Sequence, residues 1–277
     1  MQNFKTVITA AGLGTRLLSV TKEIPKEMLP LFCRINDKIL VKPLLQLVFE
    51  QLYEIGIRDF CIVTGKGKRS IEDHFTIDSW LINTLKAKGK KEEAEGLERF
   101  YKMLSDVNIS YITQDEPRGF GDAVFKARHC INDSRFIVAA GDTYIVSKNN
   151  NHLRELMELG SRKDAVFMLK RVRDPASYGV AVVKNGRVSE VVEKPKEKIS
   201  NLAIMPFYSF TPEIFDHLKN LRPGFGGELQ LTDAIQSLIE NGRDVGYILL
   251  KKVSWMDIGT PRSYWKALLT SYRLANI

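Results

Sequence analysis

Short apolar runs alternate along the first half of the chain with longer segments in which apolar residues recur at helical spacing. The short runs are typical of buried strands and cover residues 4–9, 59–64, 109–113 and 136–140. The helical spacing covers residues 40–55, 80–104 and 122–131. Strands that alternate with helices in this way predict a largely parallel sheet with helices on both faces.

The pattern changes after residue 164, where apolar runs follow one another closely. We predict strands at residues 165–170, 180–183, 188–192, 202–210 and 245–250, and helices after Thr211-Pro212, at 232–241 and from Pro261. Asn185-Gly186 is a two-residue hairpin signal between the second and third of these strands. The expected fold class is α/β, with a Rossmann-like, mostly parallel sheet and a smaller β-rich part that covers the crevice at the strand ends.

Composition and charge restrict the classes of protein that fit the chain. It has 277 residues, a net charge of +8 and three cysteines, Cys33, Cys61 and Cys130, in no CxxC pair. We therefore expect buried free thiols in a reducing compartment, and the lack of a long apolar run or a leader-like start favours a cytoplasmic protein without a membrane segment. The densest basic block, at residues 86–93, contains both positively and negatively charged residues. It therefore predicts a solvated helix face rather than a nucleic-acid site.

A glycine-containing loop follows the first predicted strand. Gly12 and Gly14 would let backbone N–H groups approach a phosphate closely. Arg16 adds a planar guanidinium that can bind two phosphate oxygens, and Lys26 adds a compact ammonium charge. A dinucleotide-binding loop is the alternative, but it requires a third glycine where Leu17 stands and an acidic residue about twenty positions later. Both are missing from the sequence. The loop therefore indicates a site for several phosphate charges, although either cation alone would be typical of an exposed surface.

Other polar residues follow predicted strands further along the chain. Gln114 closes a strand, and its amide offers both the donor and the acceptor that the imide edge of uracil or thymine requires. Asp142 follows the strand at 136–140, where a carboxylate points into the ligand crevice, with a plain Gly-Asp turn as the alternative. Glu193 and Lys194 can face the same crevice, or form a weakly stabilising surface pair.

The spacing of these residues resembles a known family. Gly12-x-Gly14-Thr15-Arg16, four residues, Thr21, three residues and Pro25-Lys26 is similar to the signature of the sugar-phosphate nucleotidylyltransferases. Further similar segments are residues 62–65, 70–75, 114–124, 178–180, 193–195 and 227–234, so the resemblance runs from about residue 4 to about residue 265. The run at residues 21–31 is most similar to the bacterial UTP–glucose-1-phosphate uridylyltransferase branch, also called UDP-glucose pyrophosphorylase.

The resemblance implies a single domain of the nucleotide-diphospho-sugar transferase type over residues 1–277. Its expected parts are a nucleotide-binding half at 1–145, a sugar-phosphate-binding half at 146–260 and a C-terminal helix at 261–277. The implied reaction joins UTP and glucose 1-phosphate to give UDP-glucose and pyrophosphate, in a homodimer or homotetramer. The segment at 255–261 is more similar to the thymidylyltransferase branch, and the insert at 33–39 is unusual, so dTTP in place of UTP, or use of both, is the alternative.

The resemblance also implies a role for individual residues. It assigns catalysis to Arg16, Lys26 and Lys194. It assigns nucleotide binding to Ala11, Gly12, Gly14, Thr15, Glu27, Gln114 and Gly119. It assigns sugar-phosphate binding to Gly179, Glu193 and Lys194. The implied cofactor is Mg²⁺, held by Asp142 and Asp257.

Functions from other classes fit the sequence less well. A metal-dependent glycosyltransferase should carry a D-x-D motif, and Gly141-Asp142-Thr143-Tyr144 is not one. A non-catalytic regulator on the same fold would be expected to have lost Arg16, Lys26 or Asp142, and all three are present.

Overall fold

The computed structural model describes residues 4–35 and 37–276. Its strands are β1 Lys5–Ala10, β2 Pro30–Ile35, β3 Lys38–Pro43, β4 Asp59–Gly65, β5 Asn108–Gln114, β6 Phe136–Ala140, β7 Thr143–Val146, β8 Ala165–Arg171, β9 Gly179–Lys184, β10 Arg187–Glu193, β11 Leu202–Phe210, β12 Val245–Leu249 and β13 Ser254–Asp257. Its α-helices are α1 Leu18–Thr21, α2 Leu44–Glu54, α3 Arg69–His74, α4 Ser79–Ala87, α5 Lys91–Ser105, α6 Phe120–Lys126, α7 Arg128–Ile131, α8 Asn151–Gly160, α9 Ile214–Lys219, α10 Leu231–Glu240 and α11 Pro261–Ala275.

One mixed sheet organises the chain. Its centre is parallel, because β1 pairs with β4 and β6, and β4 pairs with β5. On the other side β11 runs antiparallel to β6 and joins β8, β9 and, through them, β10 and β12 to the same sheet. The predicted fold class is confirmed. The C-terminal strands, however, extend the central sheet rather than forming a second sheet over the crevice, which corrects the expectation.

Helices cover both faces of the sheet because side chains of a strand alternate between its faces. On β1, Ile8 packs into one apolar cluster together with Leu45 and Phe49 of α2. The preceding Val7 packs into a second cluster, which includes Ile235 of α10 and Val124 of α6. These central side chains are fully buried. The central strands thus carry a core on each side, and their carboxyl ends remain at one edge of the sheet.

Two small antiparallel ribbons lie off the main sheet, and the sequence pattern had predicted neither. The first pairs β2 with β3, and the second pairs β7 with β13. Helix α11 contacts a strand of each ribbon, β2 and β13. The second ribbon brings residues 143 and 257 opposite each other, although they are far apart in the sequence.

The helix predicted after Thr211-Pro212 begins only at Ile214, and three other predicted helices differ more from the structure. The helix predicted at 40–55 begins only at Leu44, because the residues before it pair with β2 as a strand. The segment at 80–104 is two helices, α4 and α5, with Gly89 between them at a left-handed φ of 72°. The segment at 122–131 is divided into α6 and α7 at Ala127.

Several local predictions are confirmed. Asn185 and Gly186 join β9 to β10 with φ of 51° and 75°, as a type I′ hairpin turn requires. The three cysteines are free, although only Cys61 is buried and the other two are half-buried. In the described ranges, every helix is too short or too polar to cross a membrane.

Candidate active site

The carboxyl ends of β6, β1, β4 and β5 meet along one edge of the sheet, where two adjoining cavities form a cleft. The smaller, of about 320 Å³, is lined by the predicted residues Ala11, Gly12, Gly14, Thr15, Lys26, Glu27, Gln114, Gly119 and Asp142. The larger, of about 600 Å³, is lined by Gly12, Gly14, Thr15, Arg16, Lys26, Asp142, Gly179, Glu193, Lys194 and Asp257. The structure therefore brings all the candidate residues into one cleft, and the residues common to both cavities make it continuous.

The loop after β1 lines both cavities. Gly14 has a left-handed φ of 66°, and an added Cβ would lie 3.1 Å from the hydroxyl oxygen of Thr21. That hydroxyl donates a hydrogen bond to the carbonyl oxygen of Gly14 at 2.9 Å. Thr21 thus closes the turn, which gives a physical reason for its place in the motif. Arg16 follows in a short 3₁₀ turn with its side chain exposed toward the larger cavity.

Four charged side chains lie together beside the smaller cavity, and we call them the charge chain: Asp142, Lys26, Glu27 and Lys68. The ammonium of Lys26 forms an ion pair with Asp142. The ammonium of Lys68 lies 2.9 Å from Glu27 Oε2 and donates to the carbonyl oxygen of Ala10 at 2.5 Å. Glu27 is only 1% exposed. Such a carboxylate is costly to bury without a cationic partner, so Lys68 and the adjacent Lys26 are needed to hold it there.

Burial and ion pairing shift the pKa values differently in the two ion pairs of the charge chain. Burial raises the pKa of Glu27 and lowers the pKa of Lys68, and in both cases it outweighs the attraction of the partner. For Lys26 burial would lower the pKa, but Asp142 and Glu27 together hold it above its ordinary value. Burial would likewise raise the pKa of Asp142, but Lys26 holds it below the usual range. The Lys26–Asp142 pair is therefore firmly ionised at neutral pH.

Lys68 was missed by the sequence analysis. It lies directly before α3, between the two motif segments at 62–65 and 70–75. A strand that ends in Gly65-Lys66-Gly67-Lys68 offered a signal, because lysines after a parallel strand can turn into the crevice at its end. Nothing local distinguishes Lys68 from Lys66, which is exposed.

Asp142 and Asp257 come together through the ribbon of β7 and β13. Asp142 directly precedes β7, and Asp257 ends β13 opposite Thr143. The backbone N–H of Ile258 donates to the carbonyl oxygen of Asp142 at 3.3 Å, which ties the two ends. The backbone N–H of Gly259 donates to Asp257 Oδ1 at 3.0 Å. Both carboxylates line the larger cavity, so two segments distant in sequence contribute possible metal-ligating oxygens to the same cavity.

Glu193 and Lys194 lie at the end of β10 and also line the larger cavity. Glu193 accepts a hydrogen bond from the hydroxyl of Thr232 at 2.7 Å, and Gly179 beside it leaves room, since an added Cβ would lie 2.8 Å from Glu193 Oε2. Lys194 has a φ of 41°, which is rare for a side-chain-bearing residue. Its ammonium lies 3.5 Å from Glu193 and 5.1 Å from the ring centre of Phe225. Neither side chain is fully exposed, so the simple surface pair does not describe them.

Gln114 ends β5 and is buried beside the smaller cavity. Its amide nitrogen donates to Asp122 Oδ2 at 2.7 Å and to the carbonyl oxygen of Gly119 at 3.2 Å. Gly119 has a φ of 115°, and an added Cβ would lie 2.7 Å from the carbonyl oxygen of Leu229, so only glycine fits there. The expectation that the amide offers a base both a donor and an acceptor needs correction, because the donor is already in use.

Most of the chain matches a protein family model. The family model described as "Nucleotidyl transferase" matches residues 5–272. The chain belongs to the nucleotidyl transferase family. This nucleotidyl transferase is 43% identical to the UTP–glucose-1-phosphate uridylyltransferase of Bacillus subtilis (strain 168) over 253 residues, 88% of this chain and 82% of the relative. It is 42% identical to UTP–glucose-1-phosphate uridylyltransferase 2 of Staphylococcus saprophyticus over 244 residues, 84% and 80% of the two chains.

Solved structures show the same likeness. A UDP-glucose pyrophosphorylase complexed with UDP-glucose has a TM-score of 0.80 and 30% identity, covering 99% of this nucleotidyl transferase and 100% of that chain. The apo form of a UDP-glucose pyrophosphorylase has a TM-score of 0.83 and 28% identity, covering 98% and 99% of the two chains. The predicted family and fold type are confirmed.

We predict that replacing Lys68 by methionine destabilises this nucleotidyl transferase. Lys68→Met should lower the free energy of unfolding by about 3–5 kcal/mol, because it leaves the buried carboxylate of Glu27 without its hydrogen-bonded partner. Urea unfolding at pH 7 measures this. Lys66→Met is the matched control, since Lys66 is exposed in the same loop and its loss should change stability by about 0.5 kcal/mol or less. Equal effects of the two variants would contradict the structural role of Lys68.

Proposed function

We propose that this nucleotidyl transferase joins UTP and glucose 1-phosphate to give UDP-glucose and pyrophosphate. The observation that carries the proposal is the continuous cleft, in which the glycine loop and Lys26 border both cavities. The smaller cavity would hold the uridine and the larger one the sugar phosphate, so the α-phosphate of UTP would lie between them. The relatives named above as uridylyltransferases and pyrophosphorylases support the same reaction.

The reaction is an in-line displacement at the α-phosphorus. A phosphate oxygen of glucose 1-phosphate forms a bond to that phosphorus, and the bond to the oxygen that bridges the α- and β-phosphates breaks. Pyrophosphate leaves with the electron pair. Because the nucleophile is already an anion, no strong general base is needed, and catalysis consists mainly of alignment and charge neutralisation. We assign the β- and γ-phosphates to Arg16 and the loop N–H groups, and the two reacting phosphates to Lys26 and Lys194.

The donor set fits Mg²⁺ as the cofactor. Asp142 and Asp257 offer carboxylate oxygens on one wall of the larger cavity, and Mg²⁺ prefers one or two carboxylates together with substrate phosphates and water. When bound there, the ion would neutralise charge on the triphosphate. Asp142 is shared with Lys26, so the same carboxylate also positions the lysine that meets the α-phosphate.

The alternative nucleotide substrate is dTTP in place of UTP. Uracil and thymine present the same imide edge to Gln114 and differ by one methyl group, which is worth only about 1–3 kcal/mol in an apolar pocket. The thymidylyltransferase-like segment at 255–261 supplies Asp257 and begins α11. We propose UTP as the preferred nucleotide and dTTP as an accepted one. The homodimer or homotetramer and the cytoplasmic location stay predictions.

The function is tested by measuring pyrophosphate release with glucose 1-phosphate and, in turn, UTP, dTTP, ATP and GTP. We expect the highest kcat/KM with UTP, a lower value with dTTP and strong rejection of both purine nucleotides, because a purine is larger than the base for which the cavity is proposed. Identification of the nucleotide sugar by mass confirms the transfer. If ATP or GTP matched UTP, the assignment of the smaller cavity to uridine would be wrong.

Metal dependence is tested separately with Asp142→Asn. We expect no turnover in EDTA and a kcat lowered by at least about 10²-fold in the variant, because a main electrostatic contact with the reacting phosphates is lost. Titration with Mn²⁺, followed by its EPR signal, should show weakened binding in the same variant. Asp133→Asn, at an exposed position, is the control and should behave as wild type. Near-normal turnover of the wild-type protein in EDTA would overturn the metal assignment.

A further inference from the structure

Gln114 is held by two partners that can only accept hydrogen bonds. Its amide nitrogen has two hydrogens, and they are directed to the carboxylate of Asp122 and to the carbonyl oxygen of Gly119. Gln114 and Asp122 are 4% and 7% exposed, so water competes little for these contacts. The nitrogen end of the amide is therefore fully occupied within the protein.

The oxygen end of the same amide is left for a ligand. Among the described residues no group donates a hydrogen bond to Gln114 Oε1. The atom itself remains accessible to solvent. Gln114 lines the smaller cavity. Inside the folded protein Oε1 thus offers an unused acceptor at the place where the base would lie.

The two ends of an amide have almost the same shape, so shape alone does not decide which end faces the cavity. A half-turn would place Oε1 against the carboxylate of Asp122 and the carbonyl of Gly119. Two hydrogen bonds would be lost, one of them to a charged group, and like partial charges would face each other. Asp122 supplies the charged and shorter of the two bonds, so it determines the orientation.

We propose that Asp122 is a positioning residue that sets the choice of pyrimidine by fixing Gln114 with its amide oxygen toward the base. This rests on the proposed function, because it takes the smaller cavity as the uridine site. Uracil carries a hydrogen on N3 and can donate to Gln114 Oε1. Cytosine has a lone pair on N3, so two acceptors would face each other and neither would be satisfied. Asp122 therefore excludes CTP, while thymine, which shares the N3 hydrogen, is not excluded.

Asp122 also lies in the first turn of α6, where a carboxylate interacts favourably with the helix N-terminus. A purely structural role of that kind would affect all nucleotides alike. The selectivity between UTP and CTP separates the two roles, because the orientation of Gln114 distinguishes these bases and a contact with the helix N-terminus does not.

The test compares kcat/KM for UTP and CTP in wild type and in Asp122→Asn, with glucose 1-phosphate as co-substrate. The new amide can accept from Gln114 or donate to it, so both orientations become available. We expect the UTP-to-CTP ratio to fall by about tenfold or more, which is the order of one hydrogen bond to a charged group. Asp122→Ser, whose hydroxyl also accepts or donates, serves if the asparagine variant does not fold. Asp115→Asn is the matched control, since Asp115 is exposed and adjacent to Gln114 in sequence.

A second measurement shows whether Asp122 acts through Gln114. In a Gln114→Ala background the Asp122→Asn change should leave the ratio unaltered, because there is no amide to orient. UDP and CDP affinities by calorimetry should follow the same pattern without any turnover. An unchanged ratio in Asp122→Asn, with wild type active on UTP, would overturn the inference alone. A wild type that does not use UTP would instead overturn the proposed function.

Discussion

Glu27 is a carboxylate sealed at the point where four parallel strands end, and the arrangement of the site depends on how that charge is balanced. An ion in such a place loses several kcal/mol of hydration, which only well-placed cations restore. Lys68 is brought to it by the loop after β4, and Lys26 stands beside it in sequence. Lys26 in turn pairs with Asp142, which follows β6. Ion pairs, in addition to the sheet, thus hold three separate segments of the chain together.

This constraint explains why the cleft is ready for a triphosphate. The charge chain keeps Lys26 ionised where it lines both cavities, since its carboxylate neighbours raise its pKa. Arg16 and Lys194 reach the same cleft from a loop and from β10. A polyanionic substrate would therefore meet cations fixed in advance, so less reorganisation is needed at the moment of reaction.

Much of this arrangement was predictable from sequence because its determinants are local. The glycine loop after β1, Gln114 at the end of β5 and Asp142 after β6 all follow short apolar runs, and the ends of parallel strands meet at one edge. Other parts have no local signal. Lys68 pairs with Glu27 from 41 positions away in sequence, and β13 pairs with β7 from more than a hundred positions away. These contacts become visible only in the folded structure. The helix break at Ala127 was missed because apolar residues recur at helical spacing through it. The break at Gly89 lies in the charged run at residues 86–93, which was interpreted as an exposed helix face.

The central claim, that Glu27 and Lys68 are held as one balanced pair, is tested most directly by a double-mutant cycle on stability. Glu27→Gln, Lys68→Met and the double variant are compared with wild type by urea unfolding at pH 7. Removing both charges leaves no unpaired ion, so the double variant should be more stable than the sum of the single losses by about 1–3 kcal/mol. Strict additivity of the two single losses would contradict the account.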